Sequence, residues 1–104
     1  MSTIICLKGS IEALPIVERV RALGHRVVLV DADAACVCRP LADVFVHADH
    51  YDADATAAAI NRGYRPYQPD AVLCCGGDTP HTAARIAQEW DLPGLTPAQA
   101  ALSI

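Results

Sequence analysis

No stretch of this 104-residue chain is apolar for the roughly 18 residues that span a bilayer, so no membrane partner is expected. Met1 to Lys8 is too short, and meets its charge too early, to be a secretory signal. Positive charge is scarce. Eight Lys and Arg stand against twelve Asp and Glu, a formal net charge of −4, and the basic face that nucleic acid requires is missing. Five cysteines are an odd number without framework spacing, so free thiols in a reducing compartment are expected rather than a disulfide scaffold. There is no internal repeat and no low-complexity linker. These absences leave a cytoplasmic, single-domain protein over residues 1–104. With 53% hydrophobic residues it can bury one core without staples.

Several catalytic signatures are missing too. A dinucleotide fingerprint needs G-x-G-x-x-G after the first strand, and the chain offers only Gly9 there. A phosphoacceptor reading fails because the first strand ends in Leu7-Lys8, with no paired acids to hold magnesium. Cys36-Val37-Cys38 with His47 and His50 gathers soft ligands, but C-x-C is not structural-zinc spacing. Cys74 and Cys75 are adjacent on a strand and point to opposite faces, so they cannot share an ion. No Ser-His-Asp or Cys-His pair emerges from spacing. Cys6, Cys74 and Cys75 are expected as buried thiols, Cys36 and Cys38 as exposed loop thiols.

What is present centres on Asp70 to Trp90. Ala71 to Cys75 is a short apolar run between turn signals, the pattern of a strand covered on both faces. Gly76 and Gly77 permit a tight turn and close approach of a ligand. Thr79 suits an N-cap and Pro80 the first helical position. Ala83, Ile86, Ala87 and Trp90 then fall on one helix face.

Upstream, Thr3 to Leu7 reads as a strand and Lys8-Gly9-Ser10 as a turn. Ile11 to Leu23 reads as a helix, with Ser10 as N-cap, Gly24 as C′ and regular winding from near Leu14 because of Pro15. Its buried stripe is expected at Leu14, Val17, Val20 and Leu23, with Glu18, Arg19 and Arg21 in water. Arg26 to Asp31 and Val44 to His47 read as strands. Ala32 to Pro40 is a loop, or a short helix ending before Pro40. Tyr51 to Arg62 is a helix capped by Asp52 or Asp54, and Gly63 to Pro69 is a loop. Asp91 to Gly94 stops the last helix. A short fifth strand at Leu95 and a further helix from Pro97 to Leu102 are left open.

Strands alternating with helices at this spacing predict an α/β fold: a three-layer, Rossmann-like parallel sheet in the order 3-2-1-4. Ligands in such sheets bind beyond the carboxyl ends, where the strand order reverses. The loops there are Lys8-Gly9-Ser10 and Gly76-Gly77-Asp78. Lys8 is either part of an anion site at a helix N-terminus or a solvated lysine. Asp31 either caps the loop after its strand or meets a ligand. Asp78 either accepts from a ligand or caps the helix, and His81 either reaches the crevice or faces water.

An ordered set of segments carries a resemblance. Val27 to Asp33, Leu41 to Val46, Pro69 to Leu73 with Gly76-Gly77-Asp78, Ala83 to Ala87 and Leu92 to Leu95 resemble the N-terminal (pre-ATP-grasp) domain of ATP-grasp ligases, a domain shared with biotin carboxylase-like enzymes. The resemblance covers nearly the whole chain. It implies a fragment of a longer ligase that activates a carboxylate as an acyl phosphate for attack by an amine or similar nucleophile. It places ATP and magnesium in later lobes, and no segment here matches the lysines and carboxylates that hold them. The implied partners are those lobes and a small carboxylate or amine substrate; a homodimer is left open. The family's pre-domain forms part of the acceptor wall, which carries substrate binding onto Lys8, Gly9, Ser10, Gly76, Gly77 and Asp78, with Asp31 and His81 as secondary candidates. Many members have a glutamate where Asp78 stands. The alternative is a stand-alone Rossmann-like module that binds an anionic metabolite or a partner protein.

Overall fold

The computed structural model describes residues 2–63, 68–75 and 79–92. Four strands, β1 (Thr3–Leu7), β2 (Arg26–Asp31), β3 (Val44–His47) and β4 (Ala71–Cys74), pair in parallel in the order β3-β2-β1-β4. This is the expected order. Leu7 lies level with Val30 and with Cys74, and Asp31 with His47, so the carboxyl ends of all four strands form one edge.

β1 and β2 are the inner strands, and their apolar runs explain why. Ile5, Cys6, Leu7 and Val27 to Val30 are fully buried. Alternation along each strand divides these residues between two cores. On one face Cys6, Val27 and Leu29 pack with Ala13, Val17 and Val20 of the β1–β2 connection. On the other, Ile5, Leu7, Val28 and Val30 pack with Ala59, Ile60 and Ile86. The helices are α1 (Leu14–Ala22), α2 (Ala53–Gly63) and α3 (Pro80–Trp90). α1 covers one face, α2 and α3 the other, giving three layers.

Each helix boundary has a local cause. A 3₁₀ turn at Ile11–Ala13 precedes α1, and Pro15 sits in its first turn. The Ser10 hydroxyl does not cap; it donates instead to the Glu12 carboxylate at 2.7 Å. Gly24 is left-handed at φ +86° and ends the helix: its N–H bonds the Arg21 carbonyl, and the His25 N–H bonds the Val20 carbonyl. Leu23 is not in the buried stripe. It falls at the C-cap and is 57% exposed. The Asp52 carboxylate caps α2 by accepting from the Ala55 N–H at 3.0 Å. Asp91 ends α3 in the left-handed conformation, with Leu92 N–H on the Ala87 carbonyl at 2.7 Å.

Three further expectations are corrected. The segment after β2 is a loop as far as Cys38, but a 3₁₀ turn Arg39–Leu41 then takes in Pro40 at its second position, where the missing N–H has no partner within the turn to lose. β4 is not covered on both faces: Leu73 and Cys74 are exposed, as suits the outer strand of the described sheet. Cys36 and Cys38 are buried, since the loop after β2 folds down onto the α1 side of the core. Leu95 and residues 97–102 lie outside the described residues. Among the described residues, no helix is long and apolar enough to cross a membrane.

Candidate functional site

Acidic residues stitch neighbouring strands at both edges of the sheet. At the amino edge, Asp70 Oδ2 accepts from the Thr3 N–H at 2.7 Å and Asp43 Oδ2 from the Val27 N–H at 2.8 Å. At the carboxyl edge the same role falls to Asp31. Its Oδ2 accepts from the Gly9 N–H at 2.7 Å and its Oδ1 from the Asp33 N–H at 2.8 Å. Asp31 is 5% exposed. It therefore caps the loop after β2, one of its two expected roles, and in addition fixes the loop after β1.

The two loops are laced together further. The Cys38 N–H donates to the Gly9 carbonyl at 3.0 Å, and the Cys38 thiol to the Ser10 carbonyl at 3.5 Å. Gly9 is buried beneath this contact. A Cβ there would stand 2.9 Å from Leu29 Cδ2 and 3.1 Å from Cys36 Sγ and Cys38 Cβ. Glycine is needed at this position because the chain's own loop approaches closely. Burial pushes the Cys36 and Cys38 thiols above their ordinary range. For Cys75 the push is larger; its hydrogen bond with Cys6 is the main cause and burial the second.

Between the loops lies a cleft of about 350 Å³. Lys8, Ser10 and Ile11 form one wall; Asp31, Asp33 and Val37 belong to the other. Ile11 and Val37 are 62% and 49% exposed, an unusual placement for branched apolar side chains and a pair of jaws for an apolar ligand surface. Lys8, the one lysine of the chain, stands at the mouth. Its N–H still bonds the Val30 carbonyl at 2.8 Å, but its φ of +72° turns the chain out of the sheet. Its ammonium lies 3.4 Å from the Tyr51 hydroxyl and 5.9 Å from that ring's centroid. Among the described residues it makes no ion pair.

Next to Tyr51, His50 is buried against the end of β2. Its Nδ1 accepts from the Ala32 N–H at 3.3 Å and lies 3.8 Å from Asp31 Oδ1. The second contact is too long for a hydrogen bond. A nitrogen that accepts an N–H is unprotonated, so His50 is the neutral ring with its proton on Nε2. His47 lies nearby, with Nε2 2.8 Å from the Ala32 carbonyl.

The structure thus brings Lys8, Gly9, Ser10 and Asp31 together at the carboxyl edge. Gly76, Gly77 and Asp78 lie outside the described residues. His81 is exposed in the first turn of α3. His50, Tyr51, Ile11 and Val37 were not singled out for this site from sequence. The adjacent His50-Tyr51 pair just ahead of the Asp52 cap was the available signal. Among the described residues, no three His, Cys, Asp or Glu side chains are placed to hold a metal ion.

No protein-family model and no curated protein matches the chain in sequence. Solved structures do match it in fold. The phosphoribosylglycinamide synthetase of Anaerococcus prevotii superposes over 92% of this chain with a TM-score of 0.77 at 21% identity, using 24% of that enzyme. An N5-carboxyaminoimidazole synthetase from Staphylococcus aureus, solved with ADP, matches 88% of the chain with a TM-score of 0.63 at 18% identity. A second structure of that synthetase gives 0.64 at 19%. The chain spans about a quarter of the length of each.

Proposed function

We propose that this chain is the N-terminal, acceptor-side domain of an ATP-grasp ligase. The observation that carries this reading is the match of nearly the whole chain to about a quarter of an ATP-grasp synthetase. The segments noted in the sequence, from Val27 to Leu95, run in the order of the pre-ATP-grasp domain and lend it support. The parent enzyme would activate a carboxylate as an acyl phosphate, which an amine or similar nucleophile then attacks. Among the described residues no three donors are placed to hold a metal ion, and in this reading ATP and its metal belong to the remaining lobes, as the family resemblance implies. Those lobes would be the partners of this domain.

The domain's part would be positional. The cleft rimmed by Lys8, Ser10, Ile11 and Val37 offers a cation, a hydroxyl and apolar walls on a backbone fixed by Asp31. Such a wall orients an acceptor and so converts a bimolecular attack into a nearly unimolecular one. Gly76, Gly77, Asp78 and His81 are proposed to complete it.

The test is steady-state kinetics of ADP release by the whole enzyme, with candidate carboxylate and amine substrates. Lys8→Ala should raise the acceptor KM about tenfold and leave the KM for ATP unchanged. Unaltered acceptor KM and kcat in both Lys8→Ala and Asp78→Ala would remove the proposed wall.

A further inference from the structure

Two buried polar side-chain atoms of the described residues have no hydrogen-bond partner: His50 Nε2 and Thr79 Oγ1. Their residues are only 6% and 2% exposed. A buried donor left unpaired is rare enough to need a reason, and an absent ligand is one of the few on offer. Both atoms belong to the carboxyl end of the sheet, on the face covered by α2 and α3. His50 immediately precedes the turn into α2. Thr79 is the N-cap residue of α3, which packs along α2.

Thr79 is the more telling of the two. Threonine before a helix that opens on proline should cap it, yet its hydroxyl makes no capping bond, and its backbone is at φ −122°, ψ 37°. The hydroxyl sits at the mouth of an 11-residue helix by covalent geometry. The first N–H groups of such a helix have no acceptor within it, and the dipole there favours negative charge. His50 supplies the independent observation. Its Nδ1 is spent on the Ala32 N–H, so Nε2 carries a proton and points away from the end of β2. Between the two along the edge stands Lys8, at the end of β1 and next to Cys75, whose N–H bonds the Leu7 carbonyl. The Lys8 ammonium touches Tyr51, whose ring lies 4.5 Å from that of His50.

We infer that the carboxyl edge between the N-termini of α2 and α3 is an oxyanion subsite, where His50 Nε2–H and Thr79 Oγ1–H donate to a phosphate or carboxylate and Lys8 supplies the countercharge. The ammonium and the imidazole N–H can only donate and the threonine hydroxyl can donate as well as accept, so an oxyanion is the ligand that uses all three. Phosphate is favoured, because three oxygens match several convergent donors. The inference deepens the acceptor-side reading by naming the group an acceptor substrate would present, and rests on that reading for the substrate's identity alone.

The experiment is a titration of the whole protein, labelled with ¹⁵N at histidine, with inorganic phosphate and separately with acetate. The His50 signals, identified by their loss in His50→Gln, should be those of the Nε2–H tautomer. The Nε2–H resonance should shift saturably. Thr79→Val and Lys8→Met should each weaken the titration about tenfold. If Thr79→Val fails to fold, Thr79→Ser replaces it and should bind as the parent does. Saturation by phosphate, or by acetate at the same resonance, supports the subsite and assigns the group. No saturable shift with either ion, or a shift unaffected by Thr79→Val and Lys8→Met, overturns it. Phosphate binding without ATP-dependent ligation would sink the ligase reading and leave the subsite standing; ligation without anion binding would do the reverse.

Discussion

Replacing Lys8 with glycine and, in parallel, with alanine separates what this residue costs the fold from what it offers the site. Lys8 has φ +72°, a conformation that costs an L-residue other than glycine roughly 1–2 kcal/mol. Lys8→Ala keeps that strain and removes the contact with Tyr51, worth about 0.5–1 kcal/mol at an exposed site. Lys8→Gly removes the same contact and relieves the strain, but enlarges the unfolded ensemble by about 0.4–1 kcal/mol. The Tyr51 contact cancels between the two variants. The glycine variant should therefore exceed the alanine variant by about 0.5–1 kcal/mol, a difference of a few degrees in Tm for a domain of this size. Thermal unfolding followed by circular dichroism reads it directly. A glycine variant that melts at or below the alanine variant would mean that residue 8 is not left-handed, and the geometry proposed for its ammonium would go with it. Both variants should bind phosphate about tenfold more weakly than the parent. Against the parent, the relieved strain is offset by the lost Tyr51 contact and the larger unfolded ensemble, so the glycine variant should melt close to the parent while the site is weakened.

Other substitutions test the surroundings. Asp31→Asn leaves an amide N–H facing one of two backbone N–H groups now held at 2.7 and 2.8 Å; it should lower stability by roughly 2–4 kcal/mol and speed amide exchange at Gly9 and Asp33. Brief alkylation of the folded protein, mapped by mass spectrometry, should mark Cys74 before Cys6, Cys36, Cys38 or Cys75, because Cys74 alone of these is exposed and burial helps hold the Cys36, Cys38 and Cys75 thiols protonated. The hydrogen bond from Arg85, and then that from Asn61, holds the Glu89 carboxyl below its ordinary range. The unfolded chain therefore takes up this proton first, so the contribution is complete above about pH 4.5 and fades as pH falls below it. Glu89→Gln should flatten the acid side of a Tm-against-pH profile; an unchanged profile would show the pair to be idle.

The topology was legible because it rests on long-lived patterns. Val27 to Val30 is apolar at every position and could only be an inner strand. Gly24 and Asp52 signalled their helix ends by chemistry confined to a few neighbouring residues. The failures share one cause: they depended on what lies across the fold. Nothing local distinguishes Cys36 and Cys38 from exposed loop thiols; they are buried because the loop beneath them is tied to Asp31 and Gly9. Leu23 keeps helical spacing, but the helix ends before it can face the sheet. At the site, Lys8 and Asp31 were legible as strand-end residues. That the Asp31 carboxylate is already engaged by two backbone N–H groups was not, since one of its partners is 22 positions away in sequence.

That engagement decides the polarity of the crevice. A chain with net charge −4 and a buried carboxylate at its switch point would be expected to welcome cations there. Yet Asp31 spends both oxygens on the protein's own backbone, at 2.7 and 2.8 Å. Its carboxylate is thereby turned to the backbone of the two loops rather than presented to a ligand. What remains along that edge is a lysine ammonium whose one described contact is the Tyr51 hydroxyl, together with an imidazole N–H and a threonine hydroxyl that have no partner, the latter at the mouth of a helix. Each can donate, and the imidazole N–H and the hydroxyl are buried without a hydrogen-bond partner. The acid thus serves the anion site indirectly, by holding the first and second strand-end loops in place. Asp31→Asn should accordingly weaken phosphate binding through a loosened Lys8-Gly9 turn, although removing a negative charge from the crevice would by Coulomb's law alone strengthen it. Tighter phosphate binding in that variant would assign Asp31 a purely electrostatic role and refute the positional one.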